Sequence, residues 1–535
     1  MTAAPRHQVV AGGLVLDGEG GVARPLDVYL IGDRIAELRT RGGVPPGWTA
    51  VDATGLTVAP GFIDVHSHAD NAPLLADDDT TKLLQGVTSE VVGNCGQSLA
   101  PVPRGGEAEF SSWVERLFPP MPLDWHDFGE FLATTDQRGA VVNVAPLVGH
   151  SALRVAVMGF DARPPTPTEL NRMGELLDDA LAAGAFGMST GLIYPPGVFS
   201  DTAELVALAR HLGPDRVYAS HIRGEADTLV ASVQEVVDIA QQAGCRAQVS
   251  HHKATGRRNW GRTEVTLGML AAARAGGIRV RQDVYPYTAS STTLSALLPP
   301  QLHAGGEQAL LRRLADEAAL QDLEHILAAA EPIPGWENAL ASCGWDGIMI
   351  ATTPDHRFEG ETIASVMETL GMAGPGHAVA HVLREERLQV TAVFFGEMSE
   401  DDLVRVLQDP HTMIGSDGLP PGGGGLPHPR LTGTFPRVLG TYVRERGVLS
   451  LPEAVRRMTS LPATHFGLQD RGVVRPGLIA DLVAFDPDTV GDRGGYREPL
   501  TPPAGIAWVM LAGEVAAADG RILPGRHGRR LLPCG

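Results

Sequence analysis

The sequence predicts an α/β protein: a (β/α)8 barrel of the TIM type, with an inserted subdomain and a small β-sandwich domain formed by the two ends of the chain. Three observations indicate this fold. Short apolar strands alternate with longer helix-like segments through the middle of the chain, which is typical of parallel βα units. Both ends consist of short strands separated by Gly and Asp turns. The 535 residues suit a large barrel with a smaller satellite.

Eight short apolar runs are predicted to form the barrel strands. They are residues 62–65, 89–92, 140–146, 186–189, 217–220, 247–250, 279–284 and 412–415. Three of the helices expected between them are residues 168–183, 225–243 and 264–275, where apolar residues recur every three or four positions.

The spacing of the strands predicts the domain organisation. The gap between the seventh and eighth strands is far longer than a crossover needs, so an inserted subdomain is expected there, on the side that covers the active site. We expect sandwich segments at 1–58 and 472–535, barrel segments at 59–293 and 392–471, and the insertion at 294–391.

Composition limits the partners. A formal net charge of -20 argues against general affinity for nucleic acid or anionic membranes. It does not exclude an anionic small-molecule substrate, because a local basic cluster can bind one. No membrane-spanning run and no secretory leader are visible. The four scattered cysteines, Cys95, Cys245, Cys343 and Cys534, do not form a disulfide framework and predict a cytoplasmic location. No feature predicts an oligomeric state.

Metal-ligating side chains follow several of the predicted strands. His66 and His68 end the first strand with one residue between them, so both imidazoles point to the same side. Such a pair alone cannot be distinguished from ordinary loop residues. The other strand ends decide between the two, because the ends of all strands in a TIM barrel converge on one site. The other strand ends carry Cys95, His221, His251 and Asp417.

Two imidazoles and a thiolate suit zinc, which uses three protein ligands at catalytic sites and leaves a position for water. Asp417 is the expected general base, which takes a proton from the attacking water and passes it to the leaving amine. His66 and His68 either hold a second, weaker metal together with Asp417 and a bridging Cys95, or polarise the carbonyl directly. Both alternatives remain open at this point.

A carboxylate-binding cluster is expected beside the metal. Lys253 follows His251, Tyr285 and Tyr287 follow the seventh strand, and Arg430 follows the eighth. Arg can bind a carboxylate through two hydrogen bonds, while Lys adds charge and Tyr a hydroxyl donor. Each residue alone would more often be a surface ion-pair residue, and only their shared position next to the metal indicates a substrate site.

Eight segments in order give the chain a resemblance to the D-aminoacylase, or N-acyl-D-amino-acid deacylase, branch of the amidohydrolase superfamily. They are APGFIDVHSHAD, GNCGQSLAP, GMSTGLIYPPG, SHIRGE, SHHKATG, DVYPYTASST, IGSDGLP and HPRLTGTFPRVLG. The resemblance implies a tight zinc on Cys95, His221 and His251, and a looser position formed by His66, His68 and Asp417.

The resemblance also implies hydrolysis of N-acyl-D-amino acids. Lys253, Tyr285 and Arg430 would bind the substrate α-carboxylate, with Tyr287 as the alternative hydroxyl, and Tyr194 and Ser291 would line the site. Acidic-substrate members of this branch carry an arginine after the DVYPYTASST segment, whereas this chain has the apolar sequence LSALLPPQL. Neutral, hydrophobic D-amino acids are therefore expected. The alternatives are a cyclic-amide hydrolase of the hydantoinase or dihydroorotase type and a non-catalytic scaffold.

Overall fold

Eight parallel strands form the barrel that the sequence predicts, in a computed structural model that describes residues 5–328 and 336–533. Neighbours pair in chain order. The amide of Asp417 donates to the carbonyl of His66 at 2.7 Å and joins the eighth strand to the first. The strands are Phe62–Asp64, Val87–Val92, Asn143–Pro146 with its extension Val148–Gly149, Gly187–Gly191, Val217–His221, Arg246–Val249, Val280–Val284 and Thr412–Ile414.

Helices surround the barrel, and one of them shows capping at both ends. The helix Pro167–Ala183 begins with a capping box, in which Thr166 and Glu169 each bind the other's backbone amide, and ends at Gly184 with a φ of 118°. The other α-helices of the barrel are Glu107–Val114, Phe128–Arg138, His150–Met158, Thr202–Ala209, Leu229–Ala243, Thr263–Ala275, Glu400–Gln408, Arg430–Arg437, Leu451–Met458 and Ser460–Phe466. Single turns of 3₁₀ helix lie at Ala72–Leu74, Leu83–Gln85, Gly197–Phe199, Arg210–Leu212 and Arg257–Asn259, and a π-helical segment spans Val438–Glu445.

The two ends of the chain form the expected β-sandwich. Val10 and Leu30 from one sheet pack with Leu482 and Met510 from the other in a single apolar core. The first sheet contains Arg34–Arg39, Asp27–Ile31, His7–Ala11 and Thr49–Asp52. The second contains Arg521–Ile522, Glu514–Ala518, Ile506–Leu511, Leu482–Phe485, Thr57–Pro60, Leu14–Val15 and Arg24–Pro25. The predicted fold class is thereby confirmed.

The segment between the seventh and eighth barrel strands has its own sheet and core. Its first and last strands, Ser290–Thr293 and Thr391–Phe394, pair antiparallel, and Ile348–Thr352 joins the same sheet. Its helices are Leu294–Leu297 and Pro300–His303 (both 3₁₀), Gly306–Arg313, Glu317–Ala328, Ala339–Cys343, Trp345–Gly347 (3₁₀), Ile363–Leu370 and Pro375–Glu385. The residue boundaries given above for the domains stay a prediction.

One barrel helix begins later than the sequence predicts. The helix expected from residue 225 starts at Leu229, because the carboxylate of Glu337 in the insertion accepts the backbone amides of Glu225, Ala226 and Thr228 at 2.7, 2.8 and 3.2 Å. A Cβ at Gly224 would lie 1.9 Å from Thr228 Oγ1 and 2.6 Å from Glu337 Oε1, so a larger residue there would displace the side chains that form this contact. The insertion therefore supplies the cap of a barrel helix.

The described residues contain no helix that is both long and apolar enough to cross a membrane. Cys95, Cys245 and Cys343 are free thiols, and Cys534 lies outside the described residues.

Candidate metal centre and active site

The ends of the barrel strands bring together all six residues that the sequence indicates as metal ligands. Within the described residues they form two groups, and in each group the candidate ligand atoms lie within 4.8 Å of one another. Every member is buried and Cys95 belongs to both groups. One group is Cys95, His221 and His251, and the other is His66, His68, Cys95 and Asp417.

The candidate ligand atoms around Cys95 and Asp417 lie at short distances from one another and face one small volume. Cys95 Sγ is 3.3 Å from His66 Nε2 and 3.6 Å from His251 Nε2. Asp417 Oδ1 is 3.4 Å from His66 Nε2 and 3.3 Å from His68 Nε2. Both ring nitrogens of His221 are buried and have no hydrogen-bond partner among the described residues. Unsatisfied imidazoles beside a thiolate and a carboxylate fit a zinc ion, which takes these ligand types.

Three of the candidate ligands have a strained backbone. Cys95, His251 and Asp417 have φ angles of 52°, 36° and 48°, in the left-handed region that residues other than glycine rarely adopt. Each follows a barrel strand directly or within a short turn, where the chain changes direction. Strain of this kind persists when surrounding contacts fix it, and it concentrates at functional sites.

The charges of the site favour ionised ligands. Burial alone would raise the pKa of the Cys95 thiol, but the His66 imidazolium and contacts with His221 and His251 hold that pKa well below its ordinary value. Burial also acts to raise the pKa of Asp417, and Arg430, 2.9 Å away, with neighbouring histidines holds it well below the usual range. A thiolate and a carboxylate are the forms that bind a metal.

Two further carboxylates contact the ligand histidines, and neither was assigned a role from the sequence. Glu225 Oε1 lies 3.0 Å from His251 Nδ1 and 2.5 Å from Lys253 Nζ. Asp283 Oδ1 lies 3.3 Å from His66 Nδ1. Carboxylates in this position orient a ligand imidazole. His252 Nε2 instead lies 2.8 Å from Thr266 Oγ1, and His252 belongs to neither ligand group.

A cavity of about 700 Å³ opens beside the ligands. Five predicted substrate-binding residues line it: Lys253, Tyr285, Arg430, Tyr194 and Ser291. This volume falls in the range of small-molecule sites.

The predicted carboxylate-binding side chains are buried and held in place. Arg430 is 1% exposed, donates to the Ser291 carbonyl at 2.9 Å, and lies with its guanidinium carbon 4.6 Å from the Tyr285 ring centroid. The Ser291 hydroxyl is buried without a hydrogen-bond partner among the described residues. The Tyr194 hydroxyl contacts Thr292 Oγ1 at 2.8 Å.

The two alternative tyrosines lie in different surroundings. Tyr285 lines the cavity, whereas the Tyr287 hydroxyl contacts the Pro429 carbonyl at 3.5 Å and Asp492 Oδ2 at 3.4 Å. The cavity also contains Glu397, which the sequence did not indicate; burial raises its pKa to about 7, and it accepts a hydrogen bond from Ser290 Oγ at 2.7 Å.

The strands of the parallel barrel end at two overlapping sets of metal-ligand candidates. These features place the chain in the class of barrel proteins with a candidate two-metal centre. Within that class, the chain belongs to the amidohydrolase family, whose sequence profile matches residues 49–504.

Curated relatives and a solved structure resemble nearly the whole chain. N-acyl-D-glutamate deacylase of Alcaligenes xylosoxydans xylosoxydans is 38% identical over 506 residues, which cover 94% of this chain and 92% of the relative. D-aminoacylase of the same organism is 36% identical over 542 residues, with 99% and 98% coverage. The crystal structure of N-acyl-D-glutamate deacylase from Bordetella bronchiseptica contains zinc and a phosphonate inhibitor that mimics the tetrahedral intermediate. It is 37% identical, with a TM-score of 0.82 and coverage of 99% of this chain and 100% of the other.

Proposed function

We propose that this protein is a zinc-dependent hydrolase that cleaves the amide bond of N-acyl-D-amino acids to a carboxylate and a free D-amino acid. One observation carries the proposal: two ligand groups that share Cys95 open onto a cavity that also contains Lys253 and Arg430. The similarity to D-aminoacylase and to N-acyl-D-glutamate deacylase over nearly the full chain supports it.

Each part of the site has a proposed role. Cys95, His221 and His251 would hold the tighter zinc, with a second position at His66, His68 and Asp417. Bound zinc supplies a Lewis acid that polarises the amide carbonyl and makes water more acidic. Asp417 takes the proton of the attacking water on a carboxylate oxygen and delivers it to the amine nitrogen as the C–N bond breaks.

The α-carboxylate of the substrate is proposed to bind Arg430 and Lys253, with Tyr285 and Ser291 as hydroxyl donors. Each cation already contacts a carboxylate of the protein, Arg430 contacting Asp417 at 2.9 Å and Lys253 contacting Glu225 at 2.5 Å. The guanidinium of Arg430 has further donors that can serve a second carboxylate. Binding at Arg430 would place the substrate next to Asp417.

The same cavity supports a neutral, hydrophobic side chain as the preferred substrate. Leu297 and Leu419 line it, and among the described residues every Arg or Lys of its lining pairs with a carboxylate. With Arg430 and Lys253 assigned to the α-carboxylate, an acidic side chain would have only Arg223 and Arg258 to balance its charge, and both already pair with carboxylates of the protein. The pairs are Arg223 with Glu235, Lys253 with Glu225, Arg258 with Asp227, and Arg430 with Asp417.

We also place the reaction in the cytoplasm, because Cys95, Cys245 and Cys343 are free thiols and the scattered cysteines suit a reducing compartment.

The test is a substrate panel assayed with and without a zinc chelator. We expect N-acetyl-D-leucine to be hydrolysed faster than N-acetyl-D-glutamate, N-acetyl-L-leucine not to be hydrolysed, and chelation to abolish turnover until zinc is restored. Equal cleavage of the L-isomer would contradict the carboxylate-binding arrangement. Ring opening of substituted hydantoins without turnover of N-acetyl-D-leucine would favour a cyclic-amide hydrolase instead.

A further inference from the structure

The side chain of Asp283 contacts His251 and His66, which follow the sixth and the first barrel strands. It belongs to the seventh strand, Val280–Val284, and is completely buried. Its Oδ1 accepts the backbone N–H of His251 at 2.9 Å, and its Oδ2 accepts Gln248 Nε2 at 2.6 Å. Two donors on opposite oxygens fix the plane of the carboxylate.

The same Oδ1 faces the ring of His66. It is 3.3 Å from Nδ1, while the other ring nitrogen, Nε2, faces Cys95 and Asp417. A proton on Nδ1 leaves the lone pair of Nε2 directed toward the second ligand group. A Cβ at Gly415 would lie 2.6 Å from the His66 Cβ and 3.0 Å from Asp283 Oδ1, so glycine keeps this contact unobstructed.

We propose that Asp283 is a positioning residue for the second metal position, where it orients His66 and sets the affinity of that position without binding the metal itself. The inference rests on the proposed zinc centre and is independent of the substrate. Glu225 is the carboxylate beside His251: its Oε1 lies 3.0 Å from His251 Nδ1, and it also contacts Lys253, whose Nζ lies 2.7 Å from the same nitrogen. Each carboxylate therefore orients one histidine of a different ligand group.

This pairing predicts that two conservative substitutions weaken zinc binding at different positions. Asp283→Asn keeps an amide oxygen for the His251 N–H, and the Gln248 amide can turn to face the new NH2 group. The substitution removes the negative charge that faces His66. Glu225→Gln removes the charge that faces His251. A lost carboxylate partner of a metal-binding histidine typically lowers metal affinity by about 10-fold to 100-fold.

The experiment measures zinc stoichiometry and affinity by competition with a chelator, in the absence of substrate, for the full chain and its variants. Asp283→Asn is expected to weaken the second zinc by about 10-fold to 100-fold and leave the first unchanged, and Glu225→Gln to weaken the first. Asp402→Asn is the matched control. Its buried carboxylate binds the Gly261 amide and Arg405 at 2.8 and 2.7 Å and belongs to neither ligand group, so both zinc affinities should match the parent.

An unchanged second-zinc affinity in Asp283→Asn, or equal losses at both positions, would overturn the inference. If the parent chain binds only one zinc, the inference about Asp283 is overturned, but hydrolysis with one zinc remains compatible with the result. If the parent chain binds no zinc, the proposed function is overturned as well. Thermal unfolding checks the fold of each variant. If Asp283→Asn does not fold, Asp283→Ser removes the same charge with a smaller neutral side chain and carries the same expectation for the second zinc.

Discussion

Replacement of Asp417 by Asn separates proton transfer from metal binding. The Asp417 carboxylate faces His66 and His68 through Oδ1 and Arg430 through Oδ2, so it lies between the second ligand group and the proposed carboxylate-binding arginine. An amide of the same shape can still contact these residues, but it cannot take up a proton at neutral pH. The first ligand group, Cys95, His221 and His251, does not include Asp417.

The expected loss follows from the role. A positioned general acid or base contributes about 10²-fold to 10⁴-fold to a rate, which corresponds to about 3 to 5 kcal/mol of transition-state stabilisation. We therefore expect kcat for N-acetyl-D-leucine to fall by about two to four orders of magnitude in Asp417→Asn. The first zinc should remain bound, because its three ligands are unchanged, while the second should bind more weakly.

The assay combines steady-state kinetics with elemental analysis of zinc in the same preparations. The parent protein and Asp402→Asn serve as controls for folding and for zinc loading. A kcat within about tenfold of the parent would remove Asp417 from its role in proton transfer. Activity that returns when excess zinc refills the second position would instead mean that Asp417 acts mainly as a metal ligand.

Three other substitutions test the site and the fold. Arg430→Lys replaces a planar guanidinium, which can bind a carboxylate through two hydrogen bonds, with a compact ammonium group. We expect KM to rise by about 10-fold to 100-fold with a smaller change in kcat, and an unchanged KM would contradict carboxylate binding at Arg430. Lys82→Met leaves the buried Asp64, 2.7 Å from Lys82 Nζ, without its counter-ion. Urea unfolding should show a free energy of unfolding lower by about 3 to 5 kcal/mol, and a loss below about 1 kcal/mol would refute this. Burial lowers the pKa of His303 to about 3, so the unfolded chain binds more protons than the folded chain between about pH 6.5 and 3, and stability falls as pH falls through that window. His303→Gln should lose less thermal stability than the parent between pH 7 and 4, and parallel pH curves would contradict this reasoning.

The barrel strands could be predicted because each is a short apolar run that ends in polar residues. The ligand positions followed from the same pattern, since the C-terminal ends of parallel strands meet at one face. His66 and Asp417 lie far apart in the chain, yet their strands are joined by a backbone hydrogen bond of 2.7 Å. The convergence of strand ends in a parallel barrel was sufficient to predict that these two residues lie close together.

The contacts around the ligands could not be predicted in the same way. Glu225 and Asp283 both occur in segments that the sequence singles out, SHIRGE and DVYPYTASST, but their roles depend on which neighbouring strand each side chain faces. Tyr285 and Tyr287 were equivalent in the sequence because both follow the seventh strand. That strand ends at Val284, and the chain then turns, so strand alternation no longer determines where either hydroxyl points.

The helix that begins at Leu229 shows the same limit for secondary structure. Its apolar periodicity extends back toward Glu225, and a local rule would start the helix there. The carboxylate that binds these amides comes from Glu337, more than a hundred residues away in the chain. A side chain with this separation leaves no local signal.

The bond between Glu337 and the start of that helix has a consequence for protein engineering. The insertion looks like a module that could be exchanged between related barrels to change which substrates enter. Its Glu337, however, accepts the amides of a turn that includes Glu225, and Glu225 contacts both His251 and Lys253. A graft that omits this glutamate would leave those amides without an acceptor and loosen a loop beside the metal ligands. Exchange of the insertion would therefore need to carry Glu337, together with Gly224 on the barrel side, as one unit.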